Sequence, residues 1–344
     1  MKRGFELFVT GVLLLSFAGF SGLAQAQTWP VRPIRVIVPL APGGTGDTLG
    51  RLAGDLISSA VGQTAVIDNR TGANGIIGME VVAAAAPDGY TLVAASSGNS
   101  SINEALYGDK LKFRMERDFA PVVHVATTTS VVVVNPALPA KSISELIALA
   151  RSKPGSLLYA SAGVGSAVHL GNALFENMAG VRMHHIPYKG STQGRIAVVQ
   201  GEAQLMFDGL LPTIPLIKQG RLRALAVTSP QRSMVLPDIP TVAETLPGYR
   251  AETWYAVFAP AKTPSAILRR LHTAVADGSS EQTAVAAGGV SSAVAEGMAQ
   301  EEEEHFDQKT LMFDSCGIFA LWSTAHVRRH IPPTTIEGTV PKGR

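Results

Sequence analysis

IRVIVPLAPGGTGDTLGRLAGDLI, residues 34–57, holds a strand, a turn and a helix in that order. Ile34 to Leu40 is a continuous apolar run rich in β-branched residues. Such a run marks a strand covered on both faces, as strands of parallel sheets are. Ala41 to Gly46 is a turn of small residues, and from Asp47 the apolar Leu49, Leu52, Ala53, Leu56 and Ile57 recur at helical spacing until Gly62 closes the helix. Working outward, Thr64 to Asp68 is a short strand, Asn69 to Gly75 a loop of turn formers, and Ile76 to Ala86 a helix stopped by Pro87-Asp88-Gly89. Thr91 to Ala95 is a third strand, ending in the polar Ser96 to Ser100. Strand and helix alternate, which is the pattern of a parallel sheet with helical crossovers.

The alternation resumes after Pro121. Val122 to Val134 reads as a long crossing strand or a pair of strands, and Ser142 with Glu145 three residues on is a capping-box signature for a helix to Lys153. Leu157 to Ala160 is a strand, Ser161-Ala-Gly-Val-Gly-Ser166 a second small-residue turn, and residues 167–179 a helix. Met183–Pro187, Ile196–Gln200, Ala203–Phe207, Ile214–Lys218 and Ala224–Val227 carry the alternation on. Thr253 to Ala259 reads as a second crossing strand that returns to the first half, and Pro264 to Val275 has helical spacing. Beyond Ala276 the periodicity is lost: Glu301 to Glu304 is an acidic run, and Cys316 to Trp322 is apolar without a partner pattern. The expected architecture is α/β with two lobes, residues 27–125 plus 252–276 forming lobe I, 126–251 lobe II, and 277–344 an atypical tail.

Composition narrows the classes further. The chain has 344 residues, of which 46% are hydrophobic, 16% charged and 6% aromatic, with a formal net charge of +2. That length suits two lobes, and charge this sparse and balanced fits neither a disordered chain nor a nucleic-acid binder. Cys316 is the single cysteine, which removes disulfide frameworks and Cys-based zinc sites together. Lys2 and Arg3 followed by the apolar Phe5 to Phe20 and Ala24-Gln25-Ala26 form a signal peptide, residues 1–26, cleaved on export. The expected location is therefore the periplasm, where core burial replaces cross-links.

The two glycine turns carry the chemistry. In a parallel sheet the loops at the carboxyl ends of strands line the ligand crevice. Glycine lets backbone N–H groups approach a ligand, and the following helix start carries about half a positive charge. Glycines also serve simply for tight turns, but two such turns at matching positions of two lobes favour capture of a carboxylate. An alternative is a dinucleotide site in an exported oxidoreductase, since Gly44, Gly46 and Gly50 open a helix after a strand and Asp68 ends the next one. There is no G-x-S-x-G elbow, no H-E-x-x-H and no acidic calcium loop. His184 and His185 precede a strand and point to opposite faces, so they do not chelate one metal together. Trp254 and Tyr255 read as core or hinge packing, with ligand contact as the alternative, and Glu301–Glu304 as a solvated charge run.

WPVRPIRVIVPLAPGGTGDTLGRLAGDL and VIDNRTGANGIIGMEVVAAAAPDGYTLV resemble the Bug family of extracytoplasmic solute receptors of tripartite tricarboxylate transporters. DFAPVVHVATTTSVVVVNPALPAKSISELI, YASAGVGSAVHL, HHIPYKGSTQGRIAVVQGEAQLMFD and LRALAVTSPQRSMVLPDIPTVAETLPGY extend the resemblance over residues Trp29 to Leu271. It implies a periplasmic-binding-protein type II-like fold with two crossing hinge strands, closing on its ligand. It further implies that Gly43, Gly44, Thr45 and Asp47 of one turn and Ser161, Ala162, Gly163 and Ser166 of the other bind a small carboxylate, with Ser97, Gly98, His169 and Asp208 near the cleft. The implied protein is a monomer without catalytic residue, metal or cofactor, which delivers its ligand to membrane transporter subunits; a receptor for a sensor kinase is the other role. Nothing after Ala276 resembles the family's usual ending, and a shifted reading frame or a truncated gene would account for that.

Overall fold

The computed structural model describes residues 29–286, with side chains as far as residue 276. The expected signal peptide at 1–26 and the tail from 287 lie outside the described residues.

β1 (Ile34–Val38) passes through the first glycine turn into α1 (Thr45–Val61). The helix lies close on the sheet because it presents glycine there. A Cβ on Gly50 would come 2.7 Å from Val38 Cγ2, and one on Gly54 2.8 Å from Ile67 Cδ1. Gly62 ends the helix in the left-handed conformation, φ 72°, which glycine adopts without strain. β2 (Ala65–Asn69), α2 (Ile76–Ala83) and β3 (Thr91–Ser96) follow. A π-helical turn, Gly98–Ile102, then runs into α3 (Asn103–Tyr107), and α4 (Met115–Asp118) leads to β4 (Phe119–Val134).

In the second half, α5 (Ile143–Ser152) starts at Ser142, whose Oγ accepts the Glu145 N–H at 3.1 Å. The Glu145 carboxylate accepts from the Lys141 N–H instead of closing the expected box on Ser142. β5 (Leu158–Ser161), the second glycine turn and α6 (Ala167–Ala179) come next. Then follow β6 (His184–Pro187), α7 (Ser191–Gln200), β7 (Leu205–Gly209), α8 (Leu210–Lys218) and β8 (Arg223–Val227). β9 (Glu252–Pro260) and α9 (Ser265–Ala286) end the described chain. α9 runs past Val275, where the sequence loses its apolar spacing and so gives no sign that the helix continues.

The strands join in the order β2-β1-β3-β9-β4-β7-β5-β6, with β8 also paired to β4. Pairing is parallel among β1, β2 and β3 and among β5, β6 and β7, and antiparallel around β4 and β9. β4 is one continuous crossing strand of 16 residues. Residues Phe119 to Thr129 pair with β9, and Ser130 to Val134 lie between β7 and β8. The return crossing is at Ala251, whose N–H donates to Thr228 O, while Glu252 pairs with Thr129. Alternate residues of β4 then face opposite sides. Val132 and Val134 pack with Leu146, Phe175 and Phe207, whereas Val131 and Val133 pack with Val198, Met206 and Leu210. In the first half Ile37, Val93, Phe113, Phe119 and Phe258 form a separate core.

Gly50→Ala would set a methyl group against a stiff β-branched valine, and overpacking of this kind costs about 1–3 kcal/mol. The expected result is a lower urea midpoint, and an unchanged midpoint would mean that α1 does not press on β1 at this point.

Candidate ligand-binding site

Both glycine turns border one cavity of about 460 Å³. Gly44 to Gly46 form one wall with Gly98 and the loop Thr71 to Gly75, and the facing wall is built from Ala162 to Val164, Ser166 to Val168 and Pro187 to Ser191. The crossing strands contribute Thr128, Ser130, Thr253 and Tyr255. These segments follow the carboxyl ends of β1, β2, β3, β5 and β6, where ligands of open α/β sheets bind.

The first turn leads into α1 without a side-chain cap, so the N–H groups of the helix start stay unsatisfied within the helix. Thr45 lines the cavity, and its Oγ1 is buried without a hydrogen-bond partner among the described residues. Asp47 is only 5% exposed and does not reach the cavity. Its carboxylate accepts from the Gly43 N–H at 3.0 Å, Asn69 Nδ2 at 2.9 Å and Arg51 Nε at 3.1 Å. Burial pushes this carboxyl up, but Arg51, the Gly43 amide and Asn69 outweigh it and hold it below the usual range. Gly43, at φ 75°, likewise lies behind the wall.

In the second turn Ser166 Oγ accepts the His169 N–H at 3.3 Å and donates to Gly163 O at 2.8 Å. Ser161 Oγ accepts the Gly163 N–H at 3.0 Å and lies 2.6 Å from His185 Nε2. His169 Nδ1 accepts the Gly165 N–H at 3.2 Å. Ser161 and His169 therefore stand behind the turn and not on the cavity surface. His184 and His185 are the first residues of β6 itself. They point to opposite faces as expected, His184 outward and His185 onto the His169 ring at 4.2 Å between centroids. Burial pushes His169 down to about 3, with His185 as a second cause, and pushes His185 down to about 4.

Gly98 lies on the wall and Ser97 behind it, its Oγ buried without a partner among the described residues. Asp208 is fully buried, ion-paired with Arg195, and accepts Thr213 Oγ1 at 2.8 Å and the Gly209 N–H at 2.9 Å. It stabilises the start of α8 and does not reach the cavity. Of the residues expected at the site, Gly44, Thr45, Gly98, Ala162, Gly163 and Ser166 share the cavity surface; Gly43, Asp47, Ser97, Ser161, His169 and Asp208 support it from behind. Sequence reasoning missed the Thr71–Gly75 loop, the Pro187–Ser191 segment and the hydroxyls of the crossing strands. The polar Thr127-Thr-Thr-Ser130 inside an otherwise apolar strand was the available signal.

Two contacts bring the facing walls together. Thr192 Oγ1 donates to Pro42 O at 3.0 Å, and Ala41 packs where a Cβ on Gly190 would come within 2.6 Å. On another side, Ile102 and Leu170 form a small buried cluster with Leu106 and Ala167. The cavity is thus enclosed by contacts from both halves. Its lining residues include no carboxylate and one cation, Lys189. With two helix starts directed at it, the enclosed space favours an anion. The dinucleotide alternative gains nothing from this geometry. Gly46 and Gly50 face Leu40 and Val38, and Asp68 is held by Arg35 and Arg70 away from the cavity.

The histidine stack has a measurable consequence. Unfolded, His169 and His185 titrate near 6.5, and folded near 3 and 4, so the folded state holds fewer protons in between. Their contribution is complete above about pH 6.5 and is lost as pH falls toward 4. Glu176, which burial pushes up to about 7, acts in the opposite sense, losing its contribution as pH rises to 7. The thermal midpoint should climb between pH 4 and 6.5, and His185→Gln should flatten that rise. An equal slope in the variant would show that His185 is not held neutral by burial.

Residues 49–299 match the family described as tripartite tricarboxylate transporter family receptor, a stretch that runs beyond Ala276, where the sequence resemblance was expected to stop. A UPF0065 protein from the tcbD–tcbE intergenic region of Pseudomonas sp. (strain P51) is 37% identical over 269 residues, 78% of this chain and 80% of its own length. BugT of Bordetella pertussis is 35% identical over 263 residues, covering 76% of this chain and 80% of BugT. Among solved structures, R. palustris Rpa4515 with adipate has 35% identity and a TM-score of 0.72 over 80% of this chain and 94% of that one. MatC (Rpa3494) from Rhodopseudomonas palustris with bound malate has 30% identity and a TM-score of 0.71 over 80% and 97%. Sequence, fold and the paired turns agree: the chain belongs to the receptor family of the tripartite tricarboxylate transporters, as a Bug-type solute receptor.

Proposed function

We propose that this protein captures a small carboxylate in the periplasm and hands it to membrane subunits of a tripartite transporter. One observation carries the reading: two helix starts, one from each half of the sheet, border one cavity whose lining residues hold no carboxylate. Backbone donors held in place cost little to reorganise when an anion arrives. The acids found with two relatives, adipate and malate, fit that chemistry. Lobe I is residues 27–125 with 252–276 and lobe II is 126–251, the chain changing lobes beside the Thr129–Ser130 and Ala251–Glu252 crossings. Closure of the lobes removes water from the ligand.

The protein acts as a monomer and as a non-catalytic receptor, exported with a signal peptide that is cleaved after Ala26. Two features support the absence of catalysis. The Ser161–His185 pair is buried behind the turn, and Ser166 Oγ is engaged by Gly163 O and the His169 N–H. No helix among the described residues is long and apolar enough to cross a membrane.

Titration calorimetry with C3 to C8 mono- and dicarboxylates, each paired with its neutral amide, tests this reading. At least one acid should bind and its amide should not. Thr45→Val removes the unpartnered buried hydroxyl on the wall and should weaken that acid about tenfold, the size of one hydrogen bond of about 1.5 kcal/mol. Equal binding of acid and amide, or of neither, would remove the carboxylate assignment.

A further inference from the structure

We propose that His185 and His169 are positioning residues for ligand capture: through Ser161 and Gly165 they choose which amides of the second turn face the cavity. The inference rests on the receptor reading above and extends it to residues that do not touch the ligand. The turn offers more N–H groups than one anion can use. Gly163 N–H goes to Ser161 Oγ, Gly165 N–H to His169 Nδ1, Ser166 N–H to Gly163 O and His169 N–H to Ser166 Oγ. Ala162, Val164, Ala167 and Val168 carry no such tie, and all of them lie on the cavity wall. Gly163 and Ser166 share that wall, but their N–H groups are spent inside the turn, so the amides of Ala162, Val164, Ala167 and Val168 are the ones left for a ligand.

The turn fixes part of that choice itself, since Ser166 N–H and Oγ both donate to Gly163 O. Gly163 and Gly165 have φ of 120° and 78°, in a region where glycine is permissive and other conformations lie close in energy. The ties on their own N–H groups come from behind. Ser161 Oγ, which also donates to Gly163 O at 3.2 Å, lies 2.6 Å from His185 Nε2, and the His185 ring packs against two others, 4.2 Å from the His169 centroid and 4.8 Å from that of Tyr159. His169, 7% exposed, supplies the other anchor. Its Nδ1 accepts a hydrogen bond from the Gly165 N–H, which requires the neutral imidazole, and burial keeps it neutral. Since the rings touch, rotation of one disturbs both anchors, so the pair acts as one unit.

Amide hydrogen exchange followed by NMR, together with calorimetry against malate and adipate, tests the proposal on the exported chain. His185→Phe keeps a ring in the stack and deletes Nε2; Ser161→Ala deletes the other end of the same tie and guards against a variant that fails to fold. Each should speed exchange at Gly163 at least tenfold and weaken the better acid at least tenfold. The double variant should be no worse than either single one. Leu174→Ala, in the neighbouring core, gauges stability loss alone and should lower the thermal midpoint without changing affinity. Wild-type exchange at Gly163 in His185→Phe, or an affinity loss that only tracks the midpoint as in Leu174→Ala, overturns the positioning role. If wild type binds neither these nor any other acid of the C3 to C8 panel, the receptor reading fails separately, and the Gly163 exchange rates still support or overturn the anchors.

Discussion

The arrangement depends on backbone N–H groups that the protein leaves without partners at the starts of α1 and α6 and encloses in one cavity. Buried donors are normally satisfied, because an unpaired one costs about 1–3 kcal/mol. Here the first turn has no side-chain cap at all, and Thr45 adds a buried hydroxyl with no partner among the described residues. Such a deficit is maintained by the surrounding packing and is offset when an anion arrives. Asp47 and Asp208, the carboxylates expected at the site, are each engaged by an arginine and a backbone amide, which keeps negative charge off the walls.

The scaffold explains how such turns are held. Glycines 50 and 54 let α1 sit close against β1 and β2, where a Cβ would come within 3 Å of Val38 and Ile67. β4 passes between the halves as one strand, so the walls are linked through Thr129 and Ser130 by continuous backbone. Polar residues at that crossing, Thr128, Ser130 and Thr253, line the cavity and also bond across the strands, as Thr128 Oγ1 does to Thr253 O. The crossing and the cavity surface are therefore built from the same residues.

Much of this was legible in the sequence, for definite reasons. The β-branched run Ile34 to Leu40 and the helical spacing after Asp47 locate β1 and α1 because both obey strong periodicities. The helix expected at about 167–179 is α6, which Ser166 caps and Gly180 ends in a left-handed conformation. The direction of side chains was less legible. Asp47, Ser161, His169 and Asp208 sit within the right segments yet turn away from the cavity, because each is the partner of a neighbouring amide and spacing does not reveal that bond. The stacking of His185 on His169 joins residues from a strand and a helix, and only the packing of β5 beside β6 brings them together. Lys189 and the Thr71 to Gly75 loop escaped for a similar reason: their approach to the glycine turns is set by strand order.

The most direct measurement is a ¹⁵N–¹H titration of the exported protein with the carboxylate it binds best. The account predicts that amides of Thr45 and Gly46 on one wall and of Val164 and Ala167 on the other shift together, along one saturation curve. Shifts confined to a single wall, or centred on residues outside these helix starts, would contradict it.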